Sequence, residues 1–415
     1  MHEEDQEYDP QPVEEFDFSE TERQESVQEE SFDDFMDDLD LPDIPLPAEE
    51  PVSKEVEDEC AGAFKFAFVG VGQGGSRIAE SFWNLGYRRV CVANTTNQDL
   101  KSINLPDANK LIMDIGTGGA GKEPSRGNTA AKQYREDLYD LMKKSFGEGF
   151  DRIMVCVGAG GGTGSGSVSV AISVAHDLAK QFKLEGEGKP PAVGVICSMP
   201  KESESARVNA NAHGVLNGLF DMVGSGRGKL EGRTISPLIL VDNQRIESMY
   251  PNLPVTKFWD VANKSISGTF HLFNSIASKD SDITTFDKAD FKDILDAGCV
   301  SFGACPIRKW DEEMDISRAI RNNLNNNVLV GGFDMQSAKT SGCIFIGHRD
   351  VLDNLPQNYL EHGFQMLIRM MRSGGTLHRG IYKSGKQGLV VYSIMGELSR
   401  PEKRLGEIQD IARGK

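Results

Sequence analysis

Gly158 to Ser167 reads GAGGGTGSGS, and this stretch decides the fold. Six of its ten residues are glycine, and Thr163, Ser165 and Ser167 add three hydroxyls. The preceding RIMVCV, Arg152 to Val157, is short, apolar and rich in β-branched residues, the pattern of a buried strand. In the following VSVAISVAHDLAKQF, Val168, Ala171, Ile172, Ala175, Leu178, Ala179 and Phe182 share one face at helical spacing. Strand, glycine loop and helix start, in that order, aim free backbone N–H groups and the positive end of a helix dipole at the loop. Glycine allows close approach and the hydroxyls can donate, so the expected guest is a phosphate.

The formal charge of −18 is unevenly distributed: residues 1–60 carry 25 acids and two bases, and the remaining residues are net +5. Such a tail, poor in apolar residues, is expected to be disordered through residue 62. Within it, Phe32, Phe35, Met36 and Leu39 could form a short apolar stripe, a candidate docking motif for an adaptor protein. The seven cysteines show no CxxC spacing, and Cys91, Cys156, Cys197 and Cys343 sit in strand-like runs as small hydrophobes of a reducing compartment. No metal-ligand spacing is found among the histidines. No apolar run approaches 18 residues and the N-terminus is acidic, so the expectation is a cytoplasmic protein without a membrane span. No direct nucleic-acid binding is expected.

From Phe64 onward, strand-like runs alternate with helical ones, the pattern of a parallel sheet with helices on both faces and ligands at the carboxyl ends of the strands. The expected division is a tail over 1–62 and a Rossmann-like α/β domain over 63–254. A long central helix over 255–280 leads to a loop and helix over 281–298. A second, smaller α/β domain over 299–400 and a C-terminal tail over 401–415 follow. That tail is basic and expected to be helical. CVSFGAC, GCIFIG and LVVYSIMG are the strands expected in the second domain.

Two further glycine loops bear on the ligand. GVGQGG, Gly70 to Gly75, fits the dinucleotide fingerprint, which makes an NAD-dependent oxidoreductase the rival reading. That rival wants an acid at the end of the next strand, where Ala93-Asn94-Thr95-Thr96 stands instead. GTGGAGKE, Gly116 to Glu123, matches a P-loop up to its last position, where Glu123 replaces the Ser or Thr that would hold Mg²⁺. Three glycine loops suit a nucleoside triphosphate bound without a P-loop.

GAGGGTGSG resembles the signature loop of the tubulin/FtsZ GTPase superfamily, GVGQGGS its first phosphate loop, and GGAGKEPSRG its loop over the γ-phosphate. The resemblance runs from about Phe64 through the second domain. It implies GTP and Mg²⁺ as ligands, with Gly72, Gln73, Gly74, Gly75, Asn94, Gly119, Ala120 and Gly121 in the phosphate region. Gly160, Gly161, Gly162, Thr163, Gly164 and Ser165 supply the signature loop. By the same resemblance, Glu204 and Arg207 would reach the ribose and phosphates, Asn243 would read guanine, an amide being able both to give and to accept, and Trp259 would stack on the base, with Asn263, four residues on along one helix face, at its edge. TTFDKADFKDIL, Thr284 to Leu295, resembles the family's catalytic loop, with Asp287 and Asp290 as its two acids and Thr285 in place of the family's Asn. The resemblance implies that these acids act on GTP in the neighbouring subunit, hence a head-to-tail homopolymer. A GTP-binding module that never polymerises is the other alternative. Asp287 is equally well placed as a helix N-cap. Cell division, shape control and plasmid or phage DNA positioning all use this fold.

Overall fold

The computed structural model describes residues 56–116, 118–186, 188–224, 234–249, 251–252, 254–325 and 330–414. The candidate docking motif at Phe32–Leu39 lies outside these residues.

The alternating pattern produces one sheet of ten strands: β1 (Phe66–Val71), β2 (Val90–Asn94), β3 (Lys110–Ile112), β4 (Arg152–Gly158), β5 (Val193–Met199), β6 (Leu238–Asp242), β7 (Cys299–Ile307), β8 (Thr340–His348), β9 (Thr376–Ser384) and β10 (Leu389–Gly396). Their spatial order is β3-β2-β1-β4-β5-β6-β7-β10-β8-β9. Strands β3 through β7 are parallel, joined by helical crossovers. Strand β10 runs antiparallel to both β7 and β8. The two expected α/β domains therefore share a sheet, joined where Leu238 pairs with Cys299 and Ile239 with Val300.

Every residue of β1 is buried, which requires cover on both faces. One face is aromatic. Phe66 and Phe68, two residues apart and so on the same side, pack against Phe82 and Phe270. Phe82 belongs to helix α1 (Gly72–Asn84). Phe270 belongs to the central helix, Val255–Ile276, which matches the expected long helix closely.

Two expectations are corrected by tertiary packing. Residues 56–62, assigned by sequence to the tail, are tied down: Asp58 accepts from Arg88 N (2.9 Å) and pairs with Arg89 (3.0 Å), and Glu59 N donates to Gly86 O (2.8 Å). The helix expected from Val168 begins at Gly162 and runs to Gln181, so half of the glycine loop is its first turns. Between β3 and β4 the chain forms two helices, Pro124–Gln133 and Arg135–Phe146, broken at Tyr134. The expected C-terminal helix is present as Glu402–Ala412.

Candidate nucleotide-binding site

A cavity of about 420 Å³ opens at the carboxyl ends of β1, β2, β4, β5 and β6. Its floor is made by the three glycine loops. Gly72, Gln73 and Gly74 come from the first, Ala120 and Gly121 from the second, and Gly160, Gly161, Gly162, Thr163 and Gly164 from the third. The loops touch one another. Gly72 has φ +71°, and a Cβ on it would lie 2.7 Å from Gly164 N. Helix Gly162–Gln181 thus begins at the cavity, and the N–H groups of its first turn have no intrahelical acceptor.

The hydroxyls expected to donate to phosphate are used within the protein. Thr163 Oγ1 meets Thr95 Oγ1 at 2.7 Å, and Thr95 Oγ1 also accepts from Ala120 N at 3.1 Å. Ser165 donates to Ala159 O and Ser167 to Gly127 O. Thr163 and Thr95 thus tie the second and third loops together, while the Ser165 bond stays within the third loop and the Ser167 bond reaches helix Pro124–Gln133. Thr95, which joins the second and third loops through one buried oxygen, was not legible as a site residue.

One part of the cavity is lined by Asn243, buried at the start of helix Asn243–Met249, and by Trp259, which is 38% exposed. An indole this open beside a cavity offers a flat aromatic face. The Arg77 guanidinium lies 5.9 Å from its centroid. Asn94 lines the wall with its amide held by Asp99 (3.1 Å) and by Thr95 N (2.8 Å). Glu204 lines it too.

Five expected residues stand outside the wall. Gly75 packs helix α1 onto β4 instead: a Cβ there would lie 2.1 Å from Cys156 O. Gly119 and Ser165 are not among the lining residues, and Asn263 is half-buried along the central helix. Arg207 reaches Glu123, which also holds Arg126; the distances are 3.1 and 2.6 Å. The carboxylate that rules out a P-loop thereby occupies the arginine expected at the phosphates. Conversely, Thr96, Asp99, Lys122, Ser198 and Lys201 line the cavity without having been expected. The rule that ligands bind at strand carboxyl ends would have found Ser198, one residue before the end of β5, and Thr96, which follows β2.

Asp287 and Asp290 are not in the cavity wall, and no residue of 281–298 is. They form a capping box on helix Lys288–Leu295. Asp287 Oδ1 accepts from Ala289 N (2.7 Å) and Asp290 N (3.0 Å), while Asp290 Oδ2 accepts from Asp287 N (3.1 Å). Asp290 also contacts His378 Nδ1 at 2.7 Å, and His378 Nε2 faces Asp293 at 3.2 Å. The capping alternative is thus realised, with both acids near the surface. Among the described residues, no group of three or more His, Cys, Asp or Glu could hold a metal ion, and no helix is long and apolar enough to cross a membrane.

Comparison with known proteins places this geometry. Residues 65–221 match the model of the Tubulin/FtsZ family GTPase domain, and residues 273–405 match that of the Tubulin/FtsZ-like protein TubZ-like C-terminal domain. Among curated proteins, the tubulin-like protein TubZ of Bacillus cereus is 24% identical over 259 residues, covering 58% of this chain and 54% of that protein. The cell division protein FtsZ 2 of Haloferax volcanii is 27% identical over 252 residues, covering 60% and 56%. This chain therefore matches about half the length of these curated relatives. A GTPγS-form protofilament of TubZ from Bacillus thuringiensis serovar israelensis shares the fold with TM-score 0.73 at 20% identity, over 86% of this chain and 92% of that one. A GTPγS-bound protofilament of CetZ2 from Haloferax volcanii does so with TM-score 0.66 at 18% identity, over 84% and 98%. With both domains matched in order and the glycine loops assembled around one cavity, this chain belongs to the tubulin/FtsZ family.

Proposed function

We propose that this protein binds and hydrolyses GTP and assembles head-to-tail into filaments. The observation that carries the reading is a division of labour within one chain. Three glycine loops and a helix start build an anion cradle at the cavity, while the two acids of the loop 281–298 lie outside it. A neighbour's loop placed over the open cavity completes the site, so turnover requires assembly. The TubZ and CetZ2 relatives whose structures are described as GTPγS protofilaments support the same arrangement.

In this reading the phosphates rest on the first-turn amides of helix Gly162–Gln181. The Asn243 amide meets the mixed donor and acceptor edge of guanine, and Trp259 covers the base face. Asp287 and Asp290 of the next subunit orient the attacking water and take its proton as the bond from the γ-phosphorus to the bridging oxygen breaks and GDP departs. Mg²⁺ would be carried mainly by phosphate oxygens and water, which suits a wall whose acids, among the described residues, are Asp99 and Glu204. Bound there, it neutralises phosphate charge.

Equilibrium binding of GTP, ATP and NADH to the purified protein, followed by electron microscopy with GTP and GDP, tests this. GTP preference with GTP-dependent filaments is expected. Tight NADH binding would restore the oxidoreductase reading, and GTP binding with neither filaments nor turnover would leave a non-polymerising module.

A further inference from the structure

The C-terminal helix Glu402–Ala412 sends one side chain deep into the nucleotide-binding half. Arg404 is 5% exposed. Its Nε donates to Asp242 Oδ2 at 2.8 Å and its Nη2 to Asp242 Oδ1 at 3.1 Å, a two-pronged pair across 162 residues of chain. The same Nη2 donates to Pro200 O at 2.8 Å. Its Nη1 meets Glu407 at 3.4 Å and lies 3.9 Å from Glu202.

The two anchors are what matter. Asp242 is the last residue of β6, and Asn243, next in the chain, lines the cavity. Asp242 also accepts from Gln244 N at 3.1 Å, fixing the first turn of the helix that carries Asn243. Pro200 follows β5 and lines the cavity between Met199 and Lys201. Gln244 Oε1 accepts from Glu202 N at 2.8 Å, closing the loop between the two strand ends. Asp242 is itself 3% exposed. Burial pushes its carboxyl up, and the guanidinium is the main influence opposing this. A buried ion pair of this kind adds little net stability, but it fixes geometry, because a planar fork meets a carboxylate in one orientation.

We propose that Arg404 is a positioning residue for the base end of the nucleotide pocket. By bridging Asp242 and the Pro200 carbonyl it sets Asn243 and the Pro200–Lys201 turn at a fixed spacing, and so sets the pocket's choice between guanine and adenine. The C-terminal helix is then part of the nucleotide site although it contributes nothing to its wall. This rests on the reading of the cavity as a GTP site with Asn243 at the base.

The test measures GTP and ATP affinities of the full chain and the double variant Arg404→Met, Asp242→Asn, which leaves no lone buried charge. The expected result is a folded protein whose preference for GTP over ATP falls at least tenfold. In an Asn243→Ala background the same pair of changes should cost less than threefold, because both act through one amide. Arg400→Ala breaks a different tie of the C-terminal segment, the 2.9 Å pair with Asp221, and should leave the GTP/ATP ratio unchanged. If the double variant does not fold, Arg404→Lys decides: it keeps the charge, cannot span both anchors, and should lose threefold or more of the preference. A preference unchanged in the folded variants, additive losses with Asn243→Ala, or an equal loss from Arg400→Ala would overturn the proposal. Absence of any GTP preference in the unaltered chain would instead overturn the reading of the cavity, and this proposal with it.

Discussion

At the scale of single residues, the proposed chemistry separates into binding and turnover. Asn243 is buried at the cavity, so in the proposed reading Asn243→Ala leaves the guanine edge unpaired. The expected loss of GTP affinity is about 1–3 kcal/mol, read by titration, with little loss of fold. Asp290→Ala should behave oppositely, with GTP affinity kept and turnover per molecule reduced at least tenfold. Asp287→Ala should also cut turnover, but it removes an N-cap that accepts from two amides. Its melting temperature should therefore fall as well, by the equivalent of about 1 kcal/mol. If either aspartate variant turns GTP over at the normal rate in filaments, the acids have no part in hydrolysis.

Between elements, the glycines divide by what surrounds them. Gly75 lets helix α1 lie against β4, and the β4 backbone at Cys156 and Val157 leaves no room for a Cβ. Gly75→Ala should cost about 1–3 kcal/mol or more through overpacking, and should disturb the Gly72–Gly74 floor with it. Gly161 has nothing within 4 Å of an added Cβ, yet it lines the cavity. Gly161→Ala should fold with an unchanged denaturation midpoint and lose GTP affinity, because the methyl projects into ligand space. Denaturant melts and nucleotide titrations on the two variants check the contrast; equal effects on stability would contradict it. The same crowding explains why the helix beginning at Gly162 defeats its own sequence. Glycine disfavours helix, but a Cβ at Gly166 would lie 2.1 Å from Pro124 O, so packing selects the helix that propensity would not.

For the whole molecule, the shared site predicts concentration dependence. Turnover per molecule should rise through a threshold that coincides with light scattering, and a rate that stays flat below any assembly would refute completion in trans. The core also carries a pH limit. His271 on the central helix is buried against Tyr87 OH at 3.1 Å, and desolvation lowers its pKa from 6.5 to about 4. The folded state therefore binds fewer protons than the unfolded chain between those values. Stability is fully present above about pH 6.5 and declines as pH falls toward 4, by up to about 3 kcal/mol at about 1.4 kcal/mol per unit. Denaturant midpoints at pH 7 and pH 4.5 measure this decline, and His271→Gln should flatten it.

Sequence by itself determined the alternation of strands and helices, the three glycine loops and their order, and the central helix, because each is written in local periodicity or contiguous motif; the candidacy of Asn243 and Trp259 came through the family resemblance those motifs carry. It could not supply β9. TLHRGIYKS is half polar and only partly buried on the sheet's edge, so no hydrophobic run marks it, and its pairing with β8 is what makes it a strand. Nor could it foresee that Arg207 would be drawn to Glu123, that Thr95 would staple two loops, or that Arg404 would reach Asp242 across 162 residues. Those are choices among partners that lie far apart in the chain. Local pattern records which residues want a charge or a hydrogen bond; only the folded sheet, which fixes which strand ends are neighbours, decides who provides it.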